Sequence, residues 1–340
     1  MAHPLPLATS EITAEWLSDA LSRPDAAVTV SSATERATIW GTATKVLLDV
    51  TYGRATDLPT QLCVKGGFVP ELLELMAHGY ATEGRFYRDL ATSVPKTPRC
   101  HFSGTDETTG QTIVVLDDLT ATEGHFHDAT GTLTVDQVAD GLETLAALHS
   151  RPITDAAWLD TTPFFQPMVG GLLERPDWSA VAAAASPVVA TLLDDNERIK
   201  AAFADLWAIE AAATPVIIHG DANPTNVFIE PGGGPVFVDW QFVCLGDPIH
   251  DVALFMMGAL AIEDRRDNEI QLLHHYLDAR SGAAESFDDT WTSYRRHSLH
   301  GAMYTFTPDE MQPAPLRAAL AERYASAADD LDTLAAIQGT

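Results

Sequence analysis

His219-Gly220-Asp221-Ala222-Asn223-Pro224-Thr225-Asn226 follows directly on an apolar segment, Val216–Ile218, which places it in a loop at a strand end. Thirteen residues past Asn226 stands Asp239, in Phe237-Val238-Asp239-Trp240-Gln241, which closes another apolar run. Residues 227–229 and 236–238 flank Pro231-Gly232-Gly233-Gly234, a turn signal that makes them a hairpin. The pattern is an aspartate, an asparagine five residues later and a second aspartate thirteen beyond it, all at the ends of short strands. Phosphoryl transfer asks for such a set. One carboxylate orients or accepts the proton of the attacking hydroxyl, while an amide oxygen and a second carboxylate hold Mg²⁺ on the nucleotide phosphates. Asp221 fits the first role; Asn226 and Asp239 fit the second. A His-Gly-Asp tripeptide alone says little, and Asp-Asn-Pro combinations are common in turns. The full spacing is far more specific.

HGDANPTN followed by FVDWQ resembles the aminoglycoside phosphotransferase and choline kinase superfamily, and its Asp-Trp-Gln form looks most like the ecdysteroid-kinase-like branch with bacterial relatives. The resemblance implies an α+β, bilobal protein-kinase-like fold. A β-rich N-lobe, residues 1–118, would precede a mainly helical C-lobe, residues 119–340. It implies ATP and Mg²⁺ as cofactors, a small-molecule hydroxylated acceptor and a monomer or weak dimer. His219 belongs to the catalytic segment as a support for its loop. The fold further implies a front-lobe lysine paired with a helix acid. Lys65 ends the strand-like QLCVK, and Glu83 lies in YATEGRFYRDL, similar to the family's helix. Only four lysines occur in the chain, so few others could serve.

A phosphate-covering loop is expected at 39–44. It holds one glycine, Gly41, so backbone N–H groups and a hydroxyl of Thr42 or Thr44 would do the binding. Residues 113–119 resemble the family's hinge, with adenine meeting backbone groups around Asp117 and Leu119. No GxxxxGK[ST] is present, which excludes a P-loop enzyme. The glycine-poor loop leaves an alternative open, a non-catalytic nucleotide- or metabolite-binding pseudokinase on the same fold.

Composition narrows the partners. The chain has 340 residues, 20 of them basic and 48 acidic, for a net charge of −28. Nucleic-acid binding requires a basic face, and so does docking on an anionic membrane. The deficit of basic residues is deepest in 119–260, with 4 basic against 19 acidic residues. Acid on the acceptor side would suit a cationic substrate. Three widely spaced cysteines, Cys63, Cys100 and Cys244, form no disulfide framework, and the N-terminus shows no signal-peptide pattern. Both point to a cytoplasmic protein.

The remaining pattern predicts a capped helix over 10–21 with Ser10 as its cap, strands at 45–52, 61–65 and 112–116, and a helix over 71–90. An Ala-rich helical stretch covers 179–213, and helices follow at 251–260, 268–279, 286–300 and 314–337. The acceptor should meet segments 151–213 and 262–340, where Trp158, Phe164, Phe165, Trp178, Trp291, Tyr294 and Tyr304 supply aromatic surface. Amino sugars, aminoglycosides, macrolides, choline-like alcohols and steroid or terpenoid alcohols all remain open as acceptors. His149, at the end of an apolar helix, reads as structural. Asp251 reads as a helix cap that also braces the catalytic loop, and Asp247 as a second candidate near the acceptor. His274-His275 and His297-x-x-His300 have no nearby Cys or carboxylate set in sequence to make a zinc site.

Overall fold

In a computed structural model, residues 4–161, 165–282, 285–308 and 312–339 are described; Phe164 lies outside them. The chain divides into two compact units, residues 1–93 with 97–125, and residues 94–96 with 126–340.

The first unit holds α1 (Ala14–Leu21), β1 (Val30–Ile39), β2 (Thr44–Tyr52), β3 (Gln61–Gly66), α2 (Pro70–Asp89), β4 (Cys100–Asp106) and β5 (Gln111–Asp117). The strands form one antiparallel sheet in the order β1-β2-β3-β5-β4. Alternation in β2 puts Val46, Leu48 and Val50 on the face that buries Trp16 and Leu17 of α1, together with Leu62, Val64, Ile113 and Val115. The cap expected at Ser10 lies instead at Thr13, whose Oγ1 accepts from Trp16 N at 3.1 Å. Thr13 is extended, so residues 9–11 form a separate 3-10 turn and the helix starts after it. α2 opens on Pro70, at a position where a missing N–H costs nothing. Its buried positions Met76, Tyr80, Glu83 and Tyr87 recur at helical spacing. Gly84 lets α2 lie close on the sheet, since a Cβ there would sit 2.6 Å from Thr112 Cγ2.

β6 (His125–Phe126) spans the boundary between the units. The second unit continues with α3 (Val135–His149), α4 (Phe165–Leu173), α5 (Trp178–Ala184), α6 (Pro187–Leu192) and α7 (Asn196–Ala212). Next come β7 (Val216–Ile218), β8 (Val227–Ile229), β9 (Pro235–Phe237), β10 (Cys244–Gly246) and α8 (Pro248–Ala259). The chain then runs through α9 (Ile262–Ala279), α10 (Phe287–His297), a 3-10 segment His300–Phe306, α11 (Ala314–Asp330) and α12 (Thr333–Gln338). The Ala-rich stretch 179–213 is thus three helices. Pro187 cannot extend the helix before it, and Asp195 starts another by accepting from Arg198 N at 3.1 Å. The last helical stretch breaks at Asp332, which adopts φ +48°.

β8 and β9 form the expected hairpin, and β7 pairs antiparallel with β10, a strand the sequence did not announce. Leu173, Trp178, Ile199, Phe203 and Leu206 pack with Leu299, Met303 and Phe306 in the helical core. α8 is buried at every position. Among the described residues, no helix is long and apolar enough to cross a membrane. The architecture is α+β, with a sheet-rich N-terminal part and a helical C-terminal part.

Candidate active site

In the first unit, β3 and α2 bring the expected pair together. Lys65 Nζ lies 2.7 Å from both carboxylate oxygens of Glu83, and both side chains are buried. A buried pair held this way is costly to break from either side, because the partner left behind has no water to replace it. The neighbouring Cys63 thiol is pushed up to about 11 by burial, which keeps it a neutral packing group.

The loop between β1 and β2 is anchored by the Tyr80 hydroxyl, which donates to Thr42 O. Gly41 is exposed, and a Cβ there would meet only Ala43 O at 3.5 Å, so no steric need of the folded chain calls for glycine. Thr44 is buried at the first position of β2, and its hydroxyl has no hydrogen-bond partner among the described residues. At the end of β5, Asp117 N–H donates to Arg99 O, its carboxylate meets His101 Nε2 at 2.6 Å, and Leu119 O accepts from Thr122 N. Those groups are engaged within the unit. Asp118, next to them, pairs with Arg36 and accepts from Thr120 N.

In the second unit, the loop after β7 holds Asp221 by three donors. Asn223 Nδ2 and Asn226 Nδ2 reach its two carboxylate oxygens at 2.7 and 2.8 Å, and the Tyr304 hydroxyl reaches Oδ1 at 3.3 Å. Burial pushes the Asp221 carboxyl up to about 7, and the charge of Asp239 adds to the rise against the pull of those hydrogen bonds. Committing Asn226 Nδ2 to Asp221 leaves Asn226 Oδ1 available to a cation. The hairpin ties the two metal candidates together, since Val238 N–H donates to Asn226 O at 3.0 Å. Asp239 then turns into the left-handed region, φ +67° and ψ +65°.

His219 is fully buried and acts as a support. Its Nε2 meets Val238 O at 3.1 Å, its Nδ1 accepts from Asp221 N, and its ring leans on Trp240. Gly220 is required: its φ is +78°, and a Cβ would fall 2.2 Å from Phe242 O. Beneath the loop, Asp251 accepts from His219 N at 2.6 Å and from Gly220 N at 2.9 Å, and pairs with His149 Nε2 at 3.1 Å. Tyr276 OH holds the other His149 nitrogen at 2.8 Å. The brace expected of Asp251 is present, but the cap of α8 is Asp247, whose Oδ1 accepts from Ile249 N at 2.8 Å.

Of the aromatic side chains expected near an acceptor, Trp178 stacks on Phe306 in the core and Tyr294 is buried with its hydroxyl on Glu269. Tyr304, stacked on Tyr324, is the one whose contact with Asp221 is seen. Sequence reasoning had no means to place Tyr304 at Asp221, 83 residues away. Asn223 lies inside the quoted motif, where its type reads as a turn residue, yet its Nδ2 meets Asp221 at 2.7 Å.

The chain belongs to the phosphotransferase enzyme family, whose model matches residues 76–295. It is similar in fold to an ethanolamine kinase of Plasmodium vivax, with a TM-score of 0.53 at 10% identity, over 90% of this chain and 81% of that one. It is likewise similar to an aminoglycoside 2′-phosphotransferase-IIIa solved as its GDP complex, with a TM-score of 0.52 at 12% identity, over 87% of this chain and 93% of the other. A curated relative, an uncharacterized kinase-like protein of Caenorhabditis elegans, is 34% identical over 88 residues, or 24% of this chain. The match spans 23% of that relative's length. These likenesses agree with the kinase-like fold expected from the sequence.

Proposed function

We propose that the protein transfers the γ-phosphate of ATP to a hydroxyl group of a small molecule. The observation that carries this reading is Asp221, clasped by Asn223, Asn226 and Tyr304 at the end of β7. In the proposed reaction the acceptor oxygen bonds to the γ-phosphorus as the bond to the β-phosphate oxygen breaks. Asp221 orients the acceptor hydroxyl and takes its proton. Lys65, held by Glu83, steadies the phosphates. Positioning and charge neutralisation supply most of the catalysis.

Asn226 and Asp239 offer oxygen donors that suit Mg²⁺, and the repulsion between Asp239 and Asp221 is the kind a divalent cation relieves. When bound, the ion would neutralise phosphate charge. The unpartnered Thr44 hydroxyl supports a phosphate role for the β1–β2 loop. Asp239-Trp240-Gln241 alone speaks for the ecdysteroid-kinase-like branch.

Incubation with Mg·ATP and a panel of hydroxylated compounds should give a product heavier by one phosphate, seen by mass spectrometry. Nucleotide binding without consumption across the panel would favour the pseudokinase reading. Lys65→Met should lower kcat/KM for nucleotide by about 10²–10³-fold, the usual loss when a stabilising charge is removed. Steady-state kinetics would measure it. The variant also strands Glu83, so its melting temperature should fall. Adding Glu83→Gln should restore the melting temperature and leave the rate low. Recovery of rate along with stability would show the pair to be structural only.

A further inference from the structure

The fold gathers His297-x-x-His300 and the distant His250 around one carboxylate, which overturns the expectation that no carboxylate accompanies the pair. Glu210 comes from α7, His250 from α8, His297 from the end of α10 and His300 from the 3-10 segment after it. His300 Nε2, His297 Nε2 and His250 Nδ1 lie 2.6, 3.2 and 3.7 Å from Glu210 Oε1. One ligand atom from each residue falls within 4.8 Å of the others. Four N and O ligands at about 2.0–2.1 Å from a tetrahedral zinc ion would stand about 3.3 Å apart. The group is therefore within small side-chain adjustments of a coordination shell.

The outer contacts of the rings point the same way. His297 Nδ1 lies 2.8 Å from Ser293 O, a bond it makes as donor, so in the neutral ring Nε2 carries a lone pair toward Glu210. His250 Nε2 lies 3.4 Å from Gly220 O, which likewise leaves Nδ1 as the inward nitrogen. A hydrogen bond from the far nitrogen to a backbone carbonyl is how metal-binding histidines are commonly oriented. Inside, the three imidazoles crowd onto the single oxygen Glu210 Oε1, while among the described residues the buried Glu210 Oε2 has no hydrogen-bond partner. Lone pairs facing a carboxylate are satisfied by a cation between them. Asp247 Oδ2, 3.9 Å from His297 Nε2, already accepts from Ser293 Oγ and stays outside the shell. Phe165 stacks on His250 and helps close the site to water.

We propose that Glu210, His250, His297 and His300 form a structural zinc site that pins α7, α8, α10 and the segment after it against the catalytic loop. All four side chains are at most 9% exposed, so the shell is closed and leaves no open position for substrate, as in structural rather than catalytic zinc sites. Imidazole with one carboxylate suits zinc better than magnesium. The link to the loop is direct, because His250 contacts Gly220 O, one residue before Asp221. The proposal goes beyond phosphoryl transfer and does not rest on it.

The full chain, stripped with a chelator and given Zn²⁺, should retain one equivalent through gel filtration by elemental analysis and melt at a higher temperature. Cobalt in its place should give the strong visible bands of a four-coordinate ion. His300→Gln should weaken binding at least about 10-fold and abolish those bands, whereas His275→Gln, beside surface Glu143, should change neither. If His300→Gln does not fold, the wild-type cobalt spectrum decides. A stripped wild type that takes up neither metal, or an His300→Gln variant that binds as well as wild type, overturns the proposal. Either result would leave the cluster as an ion-paired network carried by protonated imidazole.

Discussion

Asp221→Ala should lower kcat for phosphoryl transfer by about 10²–10⁴-fold, the range general acid–base groups contribute. It should do so without abolishing nucleotide binding. The lost group is the one that would orient the acceptor hydroxyl, while the proposed phosphate and metal contacts belong to Lys65, Asn226 and Asp239. The three donors around Asp221 come from Asn223, Asn226 and Tyr304. The carboxyl is desolvated enough to be raised, yet the residue keeps some exposure to solvent, so water can enter beside these donors once it is gone. The melting temperature should therefore move by only a few degrees, as for substitutions that open no buried void. Product formation by mass spectrometry and a thermal shift with Mg·ATP separate the two effects. A variant that binds nucleotide and phosphorylates acceptor at the wild-type rate would remove Asp221 from the mechanism.

The second large effect falls on a residue that touches no substrate in the proposed reaction. Asp251→Ala should cost about 3–5 kcal/mol of stability, because several buried donors lose their acceptor at about 1–3 kcal/mol each. For a unit of this size that corresponds to a drop on the order of 10 °C in melting temperature. The carboxylate is fully buried and serves three groups at once: His149 Nε2, His219 N and Gly220 N. Truncation leaves two backbone donors without an acceptor in a dry interior. Activity should fall as well, because Gly220 precedes Asp221 and the brace fixes its backbone. Thermal melts read alongside kinetics at a temperature where the variant is folded would test both. A stable variant with a slow rate would mean that the brace serves geometry more than folding.

Much of this was legible in the sequence because it is local. The loop HGDANPTN, the hairpin after it and the second aspartate lie within 21 residues. Turn chemistry and strand length fix them with little help from the rest of the chain. Lys65 and Glu83 were expected to pair and do so at 2.7 Å, since a strand-end lysine and a helix acid follow from the family's pattern. What stayed hidden depends on tertiary packing. Tyr304 reaches Asp221 because the segment after α10 folds back on the loop. The histidine cluster draws ligands from four elements: His297-x-x-His300 stood out in the sequence, but Glu210 and His250 join it only through the fold. The helix starts moved for local reasons too fine for periodicity. Thr13 outcompeted Ser10 as a cap, and Asp247 rather than Asp251 closes the first turn of α8.

The left-handed backbone at Asp239 has an evolutionary side. A non-glycine residue held at φ +67° carries a local penalty of about 1–2 kcal/mol, and glycine would occupy the position freely. Selection for folding alone would drift toward glycine there. The proposed metal role would account for a carboxylate kept on that backbone at Asp239, a reason that Asp332, at φ +48° before α12, does not share. Under the proposed reaction, glycine at that one position in other sequences with this loop would go with a scaffold that has lost the metal contact.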